Sequence, residues 1–444
     1  MFYFLIFINE YLDTIHTKPN TKNRGRRLRQ LLLAVVSMSI FTLNLFGVDA
    51  TLKIEKDVEQ RARIALMDGS TEQSSQVFDI LLSDLKISGH FLPDSTHHIG
   101  DLSSNYIIPA LKGQEYVIKY TMDQRSGAKL LVRLLKASDG TQIFKKSYAI
   151  SSKEKMPFLI HKAISDINNI LQYPSISWIN RYVAYAVYTT PGRSEIRLAD
   201  YTFNYKKTII KGGLNLFPKW ADRAQRNIYY TSYKGTLPTL YKLNIYNGTK
   251  TKIASSEGML VCSDVNNDGS KLLLTMAPEG QADIYELDLA SKSKQRVTNF
   301  KGIDVNGRYV DDESRIVFVS NRLGYANVFK KSIEGGATSQ VVYHGRNNNA
   351  CDAHGDKIVY SSRESSNAFG DNTFNLYLTS TGSSDTRPIT TTGSNQFPRF
   401  STDGSVILFL KQSGHSSSIG YTNLTSHQSL LFPFNDRKVQ SIDW

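Results

Sequence analysis

The stretch "NQFPRFSTDGSVILFL" (residues 395–410) predicts two β-strands joined by a tight turn. Its first part ends on an aromatic residue, and its last part is a run of β-branched, aliphatic and aromatic residues. Between them, Ser-Thr-Asp-Gly provides a side chain that accepts backbone hydrogen bonds and a glycine that tolerates positive φ. A single copy of this pattern would predict only a hairpin, whereas recurrence at a fixed interval would predict a repeated unit.

The pattern does recur, beginning near residue 180. Related copies are "LNLFPKWADRAQRNIYYTS" (214–232), "LVCSDVNNDGSKLLLTM" (260–276), "DVNGRYVDDESRIVFVS" (304–320) and "NNACDAHGDKIVYSS" (348–362). The anchoring positions, which are 42 to 49 residues apart, are Trp220, Val265, Tyr309, Cys351 and Phe400. A strand-rich repeat with a period near 44 residues is typical of the blades of a β-propeller.

The strand count predicts how the propeller closes. Second, third and fourth strands of the repeat each number six, but matching first strands precede only five of them. The segment "KVQSIDW" (438–444) resembles a first strand placed after the last blade. We therefore expect a six-bladed all-β propeller over residues 174–444, closed by the C-terminal strand, which removes the free sheet edges of an open array.

Residues 51–173 have a different pattern, which predicts a small α/β domain. "ARIALMD" (62–68) is typical of a strand, and "EQSSQVFDILLSDLKISG" (72–89) has apolar residues at helical spacing. Three more strand-like runs follow, and "KMPFLIHKAISDINNIL" (155–171) predicts a second helix. Pro174 marks the passage to the propeller.

Residues 1–50 contain the pattern of an export signal. The basic segment "RGRRLRQ" (24–30) precedes the apolar run "LLLAVVSMSIFTLNLF" (31–46), and small or β-branched residues at Ala50 and Val48 suit signal-peptidase cleavage after Ala50. A membrane anchor is the alternative, although 16 residues interrupted by polar side chains are few for spanning a bilayer. The residues before this pattern suggest a mis-assigned start codon, and the pattern as a whole predicts an exported protein.

Composition favours a folded protein and argues against nucleic-acid binding. Hydrophobic residues make up 40% of the chain and charged residues 21%, which is enough for a packed core. The formal net charge of +13 is spread thinly, without a long basic run after Arg29. A nucleic-acid interface requires basic residues clustered on one face or helix, so no nucleic-acid partner is expected.

Catalytic motifs are incomplete. The nearest approach to a G-x-S-x-G nucleophile elbow, "GHSSSIG" (414–420), has Ser418 where the second glycine should stand. "DVNNDG" (264–269) resembles the first half of a calcium loop, but Thr275 occupies the position that needs a carboxylate. These absences predict a protein that is not an enzyme and holds neither a cofactor nor a metal.

Two cysteines and nine histidines add no metal pattern. Cys262 and Cys351 lie outside any C-x-x-C spacing and are interpreted as small buried residues, while a single disulfide between them stays open in an oxidising compartment. The histidines show no ligand spacing.

The order of an export signal, an α/β domain and six blades with "FPKW" (217–220), "FPRFSTDG" (397–404) and a closing strand resembles the TolB family. That family belongs to the Tol–Pal envelope system of Gram-negative bacteria. The resemblance implies a monomeric, non-enzymatic periplasmic adaptor that links the inner-membrane Tol complex to the peptidoglycan-associated lipoprotein Pal. Its roles would be to maintain outer-membrane integrity and to support constriction during cell division. It would contact the outer membrane only peripherally, through Pal. The alternatives from the residues alone are a periplasmic propeller-type hydrolase and a glycan-binding module.

The resemblance also implies two binding sites. The first is an N-terminal segment for the C-terminal domain of TolA, whose alternating side chains suit strand addition, although an ordinary strand or tail is the alternative. Its residues are Thr51, Leu52, Lys53, Ile54, Glu55 and Lys56. The second is a Pal site in the loops between each fourth strand and the next first strand, whose asparagines can donate and accept at a wet rim, or simply form turns. Its residues are Asn215, Met259, Leu260, Cys262, Asp304, Val305, Asn306, Asn348, Asn349, Asn395 and Gln396.

Overall fold

The protein is built mostly of strands, with a small domain of helices and sheet followed by a propeller, so the expected fold class is confirmed. The computed structural model describes residues 61–72, 74–365, 372–413, 416–434 and 439–444. The expected export signal lies outside these ranges.

The N-terminal domain contains one mixed sheet and two helices. Its elements are β1 (Ala62–Asp68), α1 (Ser75–Ser88), β2 (Phe91–Pro93), β3 (His98–Ile99), a 3₁₀ turn (Pro109–Leu111), β4 (Tyr116–Asp123), β5 (Ala128–Lys136), β6 (Gln142–Ile150), a 3₁₀ turn (Lys153–Lys155), α2 (Met156–Ile170) and a 3₁₀ turn (Ser177–Asn180). The sheet order is β2-β1-β4-β5-β6, with β3 also paired to β1. Strand β1 runs parallel to β2, β3 and β4, whereas β4, β5 and β6 are antiparallel.

Both helices cover one face of this sheet because their apolar residues recur at helical spacing. Val77, Leu81 and Leu85 of α1 are fully buried against sheet residues such as Leu130. Neither α1 nor α2 has the length and apolar character needed to cross a membrane, and no other helix in the described ranges has them.

The propeller consists of short antiparallel strands. They are β7 (Val183–Thr190), β8 (Arg193–Ala199), β9 (Lys206–Ile210), β10 (Asn215–Trp220), β11 (Asn227–Ser232), β12 (Thr239–Asn244), β13 (Lys250–Ser255), β14 (Leu260–Val265), β15 (Lys271–Met276), β16 (Asp283–Asp288), β17 (Lys294–Arg296), β18 (Asp304–Val310), β19 (Arg315–Ser320), β20 (Asn327–Ser332), β21 (Gly335–Gln340), β22 (Arg346–His354), β23 (Lys357–Arg363), β24 (Phe374–Ser380), β25 (Ser383–Pro388), β26 (Ser394–Phe400), β27 (Val406–Ser413), β28 (Ser416–Asn423), β29 (Ser429–Phe434) and β30 (Val439–Asp443).

These strands pair in groups of four, which we number as blades in chain order. Strands β10–β13, β14–β17 and β18–β21 form separate four-stranded sheets. Strands β22–β25 and β26–β29 share one larger sheet, joined by a single parallel pairing between Phe374 and Ser394. The C-terminal strand β30 pairs antiparallel with β7, so the first blade has the order β30-β7-β8-β9.

The strand register corrects one anchoring position of the repeat. Asp352 pairs with Val359 of the second strand in the same way that Arg308 pairs with Val317. The residue equivalent to Tyr309 is therefore Ala353 and not Cys351. The displacement arises because the turn from β22 to β23 is two residues shorter: His354 pairs with Lys357, three residues on, whereas Val310 pairs with Arg315, five residues on.

The N-terminal domain packs against the turn between β28 and β29. The side-chain amide of Asn423 donates hydrogen bonds to the carbonyl groups of Ile87 (3.2 Å) and Ser88 (3.3 Å) at the end of α1. Gly89 ends this helix with φ of 77°, and a Cβ atom there would lie 2.6 Å from the Ser426 hydroxyl. Glycine is thus required both by the backbone conformation and by the close approach of the propeller.

Candidate interaction sites

The two faces of the propeller differ in what covers them. Because successive strands of a blade run antiparallel, turns after third strands emerge on one face, and connections after second and fourth strands emerge on the other. The N-terminal domain packs against the β28–β29 turn, which follows a third strand, so it covers the face where turns after third strands emerge. We name this the covered face. We name the face with the connections after second and fourth strands the open face.

Large apolar side chains are exposed at the open face. Leu237 follows the second strand of its blade, Leu323 does the same two blades later, and Tyr343 lies in the connection from β21 to β22. Their exposed fractions are 39%, 42% and 68%. The prediction of site residues missed all three, although an apolar residue inside an otherwise polar turn such as "NRLGYA" (321–326) is a usable signal.

Five of the predicted Pal residues share one position, at or near the start of a first strand. They are Asn215, Leu260, Asp304, Asn348 and Asn395, and their exposed fractions are 3% or less. The asparagine amides are consumed inside the protein. Asn395 donates to the carbonyl of Thr392 (3.0 Å), and Asn215 donates to that of Gly212 (2.9 Å). Each such bond ties the preceding connection to its blade.

The placement of these residues in exposed loops was therefore wrong. The first strands begin earlier than the turn pattern suggests, and buried amides must be satisfied within the fold. Cys262 and Val305 are buried as well, with exposed fractions of 3% and 8%. The remaining four predicted residues are partly exposed near the start of first strands, so a contact role stays a prediction for Met259, Asn306, Asn349 and Gln396.

A ring of charged residues of alternating sign lies deeper along the first strands. Its members, one per blade and 44 to 47 residues apart, are Lys219, Asp264, Arg308, Asp352, Arg399 and Asp443. We name this set the channel ring. The Lys219 ammonium lies 3.2 Å from carboxylate oxygens of both Asp264 and Asp443. The Arg308 guanidinium lies 3.0 Å from Asp352 and 3.5 Å from Asp264.

Each aspartate of the channel ring also binds the backbone of the next blade. The Asp443 carboxylate accepts the N–H of Trp220 at 2.8 Å, and that of Asp352 accepts the N–H of Phe400 at 2.8 Å. Burial alone would raise the pKa of Asp264, but Lys219 and Arg308 hold it below its usual value. The ring thus joins neighbouring blades and neutralises its own charge.

The channel ring leaves little chemistry for a metal or a nucleophile. In the described ranges, no group of three or more His, Cys, Asp or Glu residues is placed to hold a metal ion. Cys262 and Cys351 are both buried free thiols and do not form a disulfide. Burial raises the pKa of Cys351 to about 12, so its thiolate is not available near neutral pH.

A second charged cluster connects the two parts of the protein. His161 of α2 lies between Asp84 of α1 (2.9 Å) and Asp200 after β8 (3.3 Å), and all three side chains are fully buried. The Tyr201 hydroxyl donates to Asp84 at 2.5 Å. We name these four residues the interdomain cluster. Burial alone would lower the pKa of His161, but the two carboxylates raise it to about 9, so the imidazole is positively charged at neutral pH.

The predicted TolA segment, residues 51–56, lies outside the described residues. Its conformation therefore stays a prediction, as does its contact with any partner. The described chain begins at Arg61, whose guanidinium donates to the Ser426 carbonyl at 3.3 Å on the covered face.

The fold and the sites together define a β-propeller protein with a small α/β domain on one face and three exposed large apolar side chains on the other. Comparison with known proteins narrows this class. The family model described as the TolB beta propeller domain matches residues 176–444, more than half of the chain. The chain therefore belongs to the TolB family.

Relatives over nearly the whole chain carry the same family name. The Tol-Pal system protein TolB of Wolinella succinogenes is 45% identical over 90% of this chain and 97% of its own length. The corresponding protein of Helicobacter hepaticus is 39% identical over 91% and 98%. The crystal structure of TolB from Acinetobacter baumannii, 21% identical, covers 86% of this chain and 96% of its own with a TM-score of 0.69, which supports the fold. The chain is a component of the Tol–Pal system.

Proposed function

We propose that this protein is a non-enzymatic periplasmic adaptor that joins the inner-membrane Tol complex to the lipoprotein Pal. The observation that carries the proposal is the open face of the propeller, where Leu237, Leu323 and Tyr343 are exposed opposite the N-terminal domain. Exposed apolar and aromatic side chains surrounded by polar turns are typical of protein-binding surfaces.

The Pal site in this proposal is the open face. Tyr343 supplies a large ring at its surface, and the partly exposed Asn306, Asn349 and Gln396 supply hydrogen-bonding groups towards the centre. Aromatic anchors with a polar surround are the usual arrangement of a binding hot spot. The buried asparagines serve this face indirectly because they hold its connections in place.

The TolA site in this proposal is the segment of residues 51–56. It precedes β1 (Ala62–Asp68) by five residues in the sequence. A partner strand that pairs with this segment would gain affinity from backbone hydrogen bonds. In this proposal the two partners bind at separate sites of one molecule, which suits a connection between two membranes.

The proposed organisation is a cleaved leader over residues 1–50, an α/β domain over 51–173 and a propeller over 174–444, acting as a monomer. A hydrolase fits the geometry less well. Ser418 lies within β28, paired with Lys411 and Pro433, whereas a nucleophile elbow requires a sharp turn between a strand and a helix.

Replacing Tyr343 by alanine is expected to weaken Pal binding about 30-fold, since truncating an aromatic hot spot costs about 2 kcal/mol or more. Isothermal titration calorimetry with the soluble domain of Pal measures the effect. Tyr246→Ala is the matched control because Tyr246 is equally exposed, 66% against 68%, but lies in a third-to-fourth turn of the covered face. Equal Pal affinities for the two variants would contradict the assignment of the open face.

A further inference from the structure

The net positive charge of the propeller is confined to one half of it. Residues 181–301 contain 18 Lys and Arg against 10 Asp and Glu, whereas residues 302–444 contain 13 of each. The first range comprises most of blade one and the whole of blades two and three. The basic residues form no long run in the sequence, but the fold places lysines of three consecutive blades on neighbouring outer strands.

The excess charge lies on the outermost strands of these blades. The exposed lysines there are Lys206 and Lys207 on β9, Lys250 and Lys252 on β13, and Lys294 on β17. The outer strands of the other three blades, β21, β25 and β29, are fully described and contain one basic residue, Arg387. We name the five lysines the basic flank.

Lysines of adjacent blades approach the same cleft. Lys207 pairs in register with Leu198, and Lys250 pairs with Leu243. Residues directly opposite in register share one face of a sheet, and both leucines pack in the apolar cluster between blades one and two. The two lysines therefore rise from opposite walls of one cleft, and Lys252 continues the row on the same face of β13.

Edge protection does not account for this pattern. Lysines on edge strands do discourage pairing with other sheets. However, the same chain leaves β21 and β29 without a lysine although they are outer strands too. A requirement common to all outer strands would not select three consecutive blades.

We propose that the basic flank docks on an anionic phospholipid surface. Lysine is a hydrated, flexible point charge that suits diffuse phosphate headgroups, whereas protein interfaces are depleted in lysine. The flank is a convex rim of outer strands, so a fluid headgroup layer can adjust to it without a matching shape. The exposed ring of Tyr246, in the turn that leads into β13, has the amphipathic character found at membrane interfaces. Such docking would hold the adaptor beside a membrane while its open face stays free.

Vesicle co-sedimentation of the purified protein tests this proposal. Vesicles of phosphatidylcholine with about 30% phosphatidylglycerol, a composition on the order of natural anionic membranes, are compared with vesicles of pure phosphatidylcholine. Each is measured at about 0.05 M and at about 0.5 M salt, and the Debye length at the higher concentration is about one third of that at the lower. Binding is expected only to the anionic vesicles and only at low salt. Equal binding to both vesicles, or binding that persists in high salt, would overturn the proposal.

Charge-reversal variants locate the surface. The triple variant Lys207→Glu, Lys252→Glu, Lys294→Glu is expected to bind anionic vesicles at least about 100-fold more weakly, since each basic residue contributes about fivefold or more. The milder triple exchange to Gln guards against misfolding and is expected to lose most of the binding. The matched control reverses three exposed lysines of the N-terminal domain, Lys112, Lys136 and Lys153. If the control loses as much binding as the flank variant, or if the protein binds soluble polyglutamate but not vesicles, the proposal fails.

Discussion

Replacing Arg308 by alanine is expected to lower the free energy of unfolding by about 3–5 kcal/mol, the usual cost of removing one partner of a buried ion pair. Arg308 lies between Asp264 and Asp352, and its side chain is 3% exposed. The variant leaves both carboxylates buried without their shared cation. Because Asp264 of blade three also accepts the N–H of Tyr309 in blade four at 3.0 Å, the disturbance reaches the contact between these two blades.

Urea denaturation followed by tryptophan fluorescence measures this loss. The matched control is Arg315→Ala in the same blade, since Arg315 pairs with Asp311 at 3.4 Å but is 51% exposed. A surface pair of this kind contributes about 0–1 kcal/mol. Similar midpoints for the two variants would show that the channel ring does not hold the blades together.

Replacing His161 by phenylalanine is expected to have an effect of similar size, about 3–5 kcal/mol, for the same reason. In the wild-type protein the charged imidazole separates Asp84 from Asp200 inside the interdomain cluster. Phenylalanine keeps much of the volume but removes the charge. Lys162→Ala is the control, because Lys162 is the next residue of α2 and its pair with Asp166 is half exposed.

The pH dependence distinguishes a lost charge from lost packing. The pKa of His161 is about 9 in the folded protein and about 6.5 in an unfolded chain, so its stabilisation is complete below about pH 6.5 and is lost as the pH rises through 9. The wild-type imidazole therefore adds no further stability below about pH 6.5. Removal of the imidazole leaves burial free to raise the pKa of Asp84 further, so the variant should continue to gain stability on acidification from about pH 6.5 to about pH 5. Thermal denaturation across this range checks both slopes. A variant with an unchanged wild-type pH profile would contradict the charged state of His161.

The repeat made most of the fold predictable. Its second strands, such as Asn227–Ser232 and Arg315–Ser320, coincide with the strands of the structure because a buried strand needs a continuous apolar run between turn residues. The two helices were also predicted within a few residues, since each carries a clear apolar stripe.

The candidate site was less predictable because the repeat does not distinguish exposed from buried polar residues. Asn395 and Gln396 are neighbours in one strand, yet the amide of the first is buried and donates to the carbonyls of Phe374 and Thr392, while the second is partly exposed. The channel ring was missed for a different reason. Its residues are separated by a full blade in sequence, so the alternation of Lys, Asp and Arg becomes visible only when the first strands are aligned in correct register.

We propose that one molecule binds TolA and Pal at separate sites whose affinities are coupled. Titration of the TolA C-terminal domain into protein beginning at Thr51 or at Asp57, with and without saturating Pal, tests it most directly. We expect the Thr51 form to bind TolA with an affinity that Pal changes, and Pal affinity to change by the same factor when TolA is present. We expect the Asp57 form to bind Pal normally but to lose TolA. Equal TolA affinity for the two forms, or a TolA affinity that Pal leaves unchanged, would contradict the account.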